Sequence, residues 1–218
     1  WVEGQANFEK PIAQFNSGEK IAAIIRSLQE APRQSWIPRK PVDPAKEKTL
    51  RKLNALGITP MPLSEGNNYV MVTFTGFREV TDEQTNALQE VNDQLVWLNL
   101  SHTRITDEQL EPLSRLSNLR VLYLNNTGVT DTGLARLSTL NELRLLSLVG
   151  TNATDASLPT FEKLTNLTDL FLFQTRLTEA GIAAYATAHE GVKIDTGNYR
   201  LKELPTDTIE YKRVNVED

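Results

Sequence analysis

The chain has 218 residues, of which 39% are hydrophobic and 23% charged, and its net charge at pH 7 is −5. These proportions are typical of a globular protein, and an acidic chain offers no basic surface for a phosphate backbone, so nucleic acid is not expected as a partner. The absence of cysteine excludes disulfides, thiolate-bound zinc, iron–sulfur clusters and haem attached through a Cys-x-x-Cys-His motif. No run of about 18 apolar residues occurs, so we expect no direct membrane insertion of this chain. Because the chain opens on Trp1 rather than methionine, we expect a processed protein or an excised fragment.

Residues 1–66 are predicted to form a helical and linker region that caps the rest of the chain. Apolar residues at helical spacing predict a first helix over 18–30. The stretch 31–43 contains several prolines and basic residues, which indicates an extended linker.

A second helix is predicted directly after that linker. Asp43 and Pro44 have the residue types of an N-cap and a first helical turn, and Gly57 is a typical C-terminal stop. Its predicted buried stripe consists of Leu50, Leu53 and Leu56. We expect this helix to shield the open end of the first strand that follows it.

An internal repeat of 24 residues is the strongest signal in the sequence. Each copy reads L-x-x-L-x-L-x-x-T-x-hydrophobic-T-D and continues with apolar residues three positions apart. The four regular copies begin at Leu95, Leu119, Leu143 and Leu167. A weaker copy precedes them, with a predicted strand over 69–74, and a truncated strand is predicted near 192–197. Degenerate first and last copies are typical of capping repeats.

The spacing within each copy predicts its structure. The L-x-L alternation predicts a short strand with leucines facing the core, and the later leucines predict a short helix that closes the core on the other side. The fold class is therefore an α/β solenoid, with parallel strands on the concave face, helices on the convex face and an N-terminal helical cap. The predicted divisions are 1–66, the repeat domain 67–197 and a polar tail 198–218, which is either docked or loose.

Two sets of repeated threonines are expected to support this framework. Those at the predicted helix starts should cap free N–H groups, with the next aspartate facing the positive helix end; they are Thr106, Thr130 and Thr154. Those in the turn after each strand are expected to link neighbouring turns through a ladder of hydroxyl groups; they are Thr103, Thr127, Thr151 and Thr175.

The motif T-D-x-G-L-x-x-L, repeated with a period of 24 residues, resembles the repeats of the GALA-like and cysteine-containing branches of the leucine-rich-repeat superfamily. It is most similar to the C-terminal repeat domain of bacterial envelope proteins that carry an upstream membrane-attached c-type cytochrome domain. Residues 1–8, 53–57, 94–101 and 170–174 look like the corresponding stretches of those proteins. The resemblance implies an exported, periplasmic or envelope-associated setting. Any electron transfer would belong to a domain outside this chain, because the haem motif needs cysteine.

We predict no catalytic residue, no metal site and no cofactor. Ser101, His102 and Asp107 include the residue types of a catalytic triad, but adjacent strand residues point to opposite faces of a sheet. The repeat-related aspartates at 107, 131 and 155 are expected to serve helix starts rather than a metal ion.

The predicted partner-binding surface consists of the outward-facing strand positions, which would form three columns across the coils. The repeat framework does not fix these positions, yet several are aromatic, and aromatic side chains there can anchor a protein partner. The predicted binding residues are Trp97, Asn99, Val121, Tyr123, Asn125, Leu145, Val149, Phe171 and Phe173. The alternative is that the N-terminal segment or the tail covers this surface.

The sequence therefore predicts a protein-binding or scaffolding module, without enzymatic activity, that contacts a protein partner or a second copy through its concave face. A rival hypothesis is a structural spacer linked to a c-type cytochrome domain. The least favoured hypothesis is a hydrolase with a site outside the repeat.

Overall fold

A computed structural model describes residues 36–197, which belong to one compact unit, Trp36–Asp218. The helix predicted over 18–30 and the tail 198–218 lie outside the described residues. Residues 36–46 contain no helix or strand, in agreement with the part of the predicted linker that is described.

The first described helix is α1 (Glu47–Ala55). The predicted N-cap at Asp43 is wrong, because the carbonyl of Asp43 accepts a hydrogen bond from Gln94 Nε2 at 2.9 Å and the helix starts four residues later. Gly57 ends the helix as predicted; its φ of +78° is left-handed, a conformation that glycine adopts without strain. Leu53 is fully buried in the same core as the repeat leucines, so α1 packs against one end of that core.

Within residues 36–197, seven strands form one sheet in the order in which they occur along the chain. They are β1 (Met61–Pro62), β2 (Val70–Thr73), β3 (Leu95–Asn99), β4 (Val121–Tyr123), β5 (Leu145–Ser147), β6 (Asp169–Phe171) and β7 (Lys193–Asp195). The pairs from β2 to β7 are parallel, because every coil places its strand beside the previous one. Strand β1 was not predicted; it pairs antiparallel with β2. It ends in Pro62, which has no N–H to offer a further strand and so suits a sheet edge.

Short helices run between the strands. The α-helical ones are α2 (Asp82–Ala87), α3 (Asp131–Arg136), α4 (Leu158–Lys163) and α5 (Glu179–Ala188). The others are 3₁₀ turns, at Leu88–Val91, Glu108–Leu110, Pro112–Arg115, Leu137–Thr139 and Asp155–Ser157. The coil after β3 contains 3₁₀ turns alone, since Pro112 removes a backbone donor where an α-helix would need one. Between strands and helices lie the repeat leucines, one stack of which consists of Leu98, Leu122, Leu146 and Leu170, all almost fully buried.

The turn threonines do not form the predicted ladder. Each hydroxyl donates a hydrogen bond of 2.7–2.8 Å to the carbonyl three residues earlier in its own coil, as Thr127 does to Leu124 and Thr151 to Leu148. The hydroxyl therefore closes the turn within its own coil.

A double substitution tests this local geometry. We expect Thr127→Val and Thr151→Val each to lower the free energy of unfolding by about 1 kcal/mol. Each substitution removes the buried hydrogen bond that the threonine hydroxyl donates to the carbonyl of Leu124 or Leu148. The two losses should add in the double variant, since the hydroxyls do not touch each other. Urea denaturation measures all three values. A clearly non-additive double variant would instead support the coil-to-coil ladder.

The coil-to-coil ladder is made by a different pair of residues. Asp131 accepts hydrogen bonds from the backbone N–H (2.8 Å) and the hydroxyl (2.6 Å) of Thr154 in the next coil. Asp107 makes the same two contacts with Thr130, and Asp155 with Thr178. The threonine also caps its own helix, as predicted: its hydroxyl accepts from a backbone N–H two or three residues on. The threonine hydroxyl and then its backbone N–H hold the pKa of Asp155 below its usual value.

The glycine of the T-D-x-G motif makes room for this ladder. A Cβ at Gly133 would lie 2.2 Å from Asp107 Oδ1, and one at Gly181 would lie 2.6 Å from Asp155 Oδ1. The two copies with glycine begin with an α-helix immediately after the threonine. Among the four regular copies, the two with a side chain there, Gln109 and Ser157, begin with a 3₁₀ turn instead. The degenerate first copy begins with an α-helix although Gln84 occupies this position. In the regular copies that contain it, the glycine thus lets an α-helix start beneath the aspartate of the previous coil.

Candidate functional site

The outward-facing strand residues form the predicted three columns, which together we call the outer sheet face. The strand register aligns the first column, Trp97, Val121, Leu145 and Asp169, and the second, Asn99, Tyr123, Ser147 and Phe171. Backbone hydrogen bonds between the loops that follow the strands align the third column, which consists of Ser101, Asn125, Val149 and Phe173. The structure therefore brings all nine predicted binding residues onto one face; their role in binding stays a prediction.

These residues differ in how much surface they present. Val121 and Leu145 are buried, with 1% and 8% of their surface exposed, so they offer little area to a partner. Trp97, Tyr123 and Phe171 are half-buried, and Phe173 is 41% exposed. Apart from the half-buried Val149, the accessible apolar surface of the outer sheet face is therefore aromatic.

Two of these aromatic side chains support each other. The rings of Trp97 and Tyr123 stack with their centroids 5.8 Å apart and their planes 28° apart, which restricts both side chains before any partner arrives. Burial, and then the negative charge of Asp169, raises the pKa of Tyr123. Its hydroxyl therefore remains a neutral hydrogen-bond donor at physiological pH.

The asparagines of the outer sheet face are oriented by the backbone. Asn99 Oδ1 accepts a hydrogen bond from the N–H of Ser101 at 2.9 Å. Asn125 Oδ1 accepts from the hydroxyl of Ser147 at 2.6 Å and from the N–H of Val149 at 3.2 Å. Since each amide oxygen is held by donors of the chain, each side-chain NH₂ group is left as the group available to a ligand.

A small pocket opens at the end of this face, in the loops that follow β2 and β3. It has a volume of about 290 Å³, and we call it the rim pocket; it is lined by Thr75, Gly76, Phe77, Arg78, Asn99, Ser101 and His102. Ser101 Oγ is buried without a hydrogen-bond partner. Sequence reasoning missed Arg78, because it lies in the degenerate first copy; its basic charge in a loop was the only available signal.

The triad-like residues are not assembled. Asp107 is bonded to Thr130 in the next coil, and His102 is exposed in a left-handed turn with φ +64°. Ser101 Oγ has no hydrogen-bond partner, so it is not bonded to either of them. Across residues 36–197, no group of three or more His, Cys, Asp or Glu side chains is placed to hold a metal ion. Across the same residues, no helix has the length and apolar character needed to cross a membrane.

Parallel strands that repeat every 24 residues, with short helices on the other side of a leucine core, define a leucine-rich-repeat solenoid. Residues 93–136 match the family model of leucine rich repeats (2 copies). The predicted α/β leucine-rich-repeat fold class is therefore confirmed, and leucine-rich-repeat domains commonly act in protein binding.

Solved structures of leucine-rich-repeat proteins are similar to the chain. An internalin C2 from Listeria monocytogenes is 27% identical over 50% of this chain and 44% of that one, with a TM-score of 0.42. A leucine-rich-repeat protein from Leptospira interrogans is 20% identical over 53% of this chain and 33% of that one, with a TM-score of 0.41. An internalin (inlF) from Listeria monocytogenes is 19% identical over 58% of this chain and 46% of that one, with a TM-score of 0.37. The chain thus spans less than half the length of each, and no curated protein matches it significantly.

Proposed function

We propose that the chain is a non-enzymatic binding module that holds a protein partner on its outer sheet face. The observation that carries this proposal is the stacked pair Trp97 and Tyr123, together with Phe171 and the exposed Phe173, on positions that the repeat leaves free. Aromatic side chains at such positions bury much area for little loss of rotamer freedom, which is why they commonly anchor protein interfaces.

We further propose that this module works outside the cytoplasm, as part of a larger envelope-associated protein with a c-type cytochrome domain. This step is supported by the sequence resemblance over residues 1–8, 53–57, 94–101 and 170–174. In that arrangement the repeat module supplies the contact with a protein partner, and the haem-bearing domain supplies electron transfer.

A structural spacer is the second candidate function. It is favoured by the burial of Val121 and Leu145 on the outer sheet face, since a face already covered in part would present less surface to a partner. The two functions make opposite predictions for substitutions on this face.

Site-specific photocrosslinking tests the binding function. A benzophenone amino acid at Phe173 should capture one protein from an envelope fraction of the source cells, whereas the same group at Ala135, exposed on α3, should not. Tyr123→Ala combined with Phe171→Ala should weaken binding of the purified partner by about 30-fold or more, as for interface anchors worth about 2 kcal/mol. Calorimetry measures that change.

The stability of the same double variant separates the two candidates. If a partner uses the face, the melting temperature should move little, because no core leucine is changed. If the chain covers its own face, the double variant should melt clearly lower and capture at Phe173 should be unaffected. That combination would contradict the binding function and support the spacer.

A further inference from the structure

The rim pocket adjoins the aromatic pair of the outer sheet face. Asn99 lines the pocket and is the register partner of Tyr123, on which Trp97 stacks. A partner segment lying on the two rings would therefore reach the pocket with its next residue.

Two polar groups of this pocket can donate hydrogen bonds and have no acceptor within the described part of the chain. The amide oxygen of Asn99 is held by the N–H of Ser101, so its NH₂ group is left to donate. The Ser101 hydroxyl is buried and has no partner, and a buried donor without an acceptor is costly for a protein to maintain. A ligand that brings acceptors would relieve this cost.

Arg78 gives the pocket a positive charge, which suits a negatively charged acceptor. Arg78 makes no ion pair within the described part of the chain, because the adjacent Glu79 is held by Arg104 at 3.0 Å. The residues that line the pocket are Thr75, Gly76, Phe77, Arg78, Asn99, Ser101 and His102, none of which is acidic. A site with one arginine and several neutral donors fits a singly charged acceptor better than a phosphate, which usually needs more than one cation.

We propose that the rim pocket binds a carboxylate of a peptide partner, while a neighbouring apolar side chain of that partner rests on Trp97 and Tyr123. The inference rests on the proposed binding function and names the chemistry of the partner segment. The carboxylate accepts hydrogen bonds from the guanidinium of Arg78, the NH₂ of Asn99 and the hydroxyl of Ser101. An ionised carboxylate offers about four acceptor positions, enough for all three donors.

Three short peptides test the proposal on the full 218-residue chain. They are acetyl-Phe-Glu-amide, acetyl-Phe-Gln-amide and acetyl-Phe-Gln with a free terminal carboxyl group. The glutamate peptide should bind about tenfold tighter than its amide counterpart, as expected for one charge-assisted hydrogen-bond site. In ¹⁵N NMR titrations it should shift the side-chain amide of Asn99 and the backbone amide of Ser101. The free-acid peptide shows whether a side-chain or a terminal carboxylate is preferred.

Two variants assign the preference to the pocket. Arg78→Gln and Ser101→Ala should each reduce the preference for the glutamate peptide. Neither should lower the melting temperature, because Arg78 is exposed and the Ser101 hydroxyl has no hydrogen-bond partner. Arg115→Gln is the matched control, since Arg115 is exposed in the 3₁₀ turn on the helical side of the core.

Equal binding of all three peptides, no binding of any of them, or an unchanged preference in Arg78→Gln would each overturn the carboxylate pocket. Equal binding with shifts at Trp97 and Tyr123 would leave the binding function of the outer sheet face intact. Failure of the crosslinking at Phe173 would remove that function itself, so the two proposals fail separately.

Discussion

Leu122→Ala should lower the free energy of unfolding by about 2 to 5 kcal/mol, the largest loss that we expect from a single substitution in this chain. Leu122 is fully buried and lies in the core stack between Leu98 and Leu146 of the neighbouring coils. Its removal leaves a cavity that adjacent coils share, and in a solenoid each coil depends on contacts with its neighbours. Urea denaturation followed by circular dichroism measures the loss.

Leu158→Ala is the matched control for this prediction. Leu158 also contacts the core but is partly exposed at the start of α4, so its truncation should cost clearly less. Equal losses for the two variants would contradict the position of the core between strands and helices.

Gly133→Ala should destabilise the chain by about 1 to 3 kcal/mol, as overpacking of a closely packed site usually does. The new methyl group would lie 2.2 Å from Asp107 Oδ1, and this oxygen cannot move freely because it accepts the N–H of Thr130 at 2.9 Å. Relief of the clash requires either loss of that hydrogen bond or a change of α3 toward the 3₁₀ turn seen where Ser157 replaces the glycine.

A control and a double variant isolate the cause. Gly128→Ala should change stability by no more than about 0.5 kcal/mol, because a Cβ there meets no atom within 4 Å. Asp107→Ala combined with Gly133→Ala should cost less than the sum of the two single substitutions, since the second change then has no carboxylate to displace. Additive losses in urea denaturation would show that the glycine is required for some reason other than the ladder.

Much of the candidate site follows from the periodicity of the sequence. Because the side chains of a strand alternate between faces and every coil repeats after 24 residues, the columns that contain Trp97, Tyr123 and Phe171 could be assigned from spacing alone. The exposure of the residues in these columns could not be assigned from spacing, since the burial of Val121 and Leu145 depends on what surrounds them in space. The rim pocket could not be predicted from the sequence either, because Arg78 lies in an irregular loop of the degenerate first copy.

The sequence by itself determined the solenoid, the order of its strands, the leucine core and the role of the helix-start threonines, since all of these depend on spacing within one coil. The tertiary structure alone decided which contacts join one coil to the next. Threonine and aspartate each have several possible partners within reach. The stacking of coils places Asp131 against Thr154 and leaves the hydroxyl of Thr127 to its own turn. Hydrogen bonds between coils depend on distances across the stack, which a repeat period does not specify.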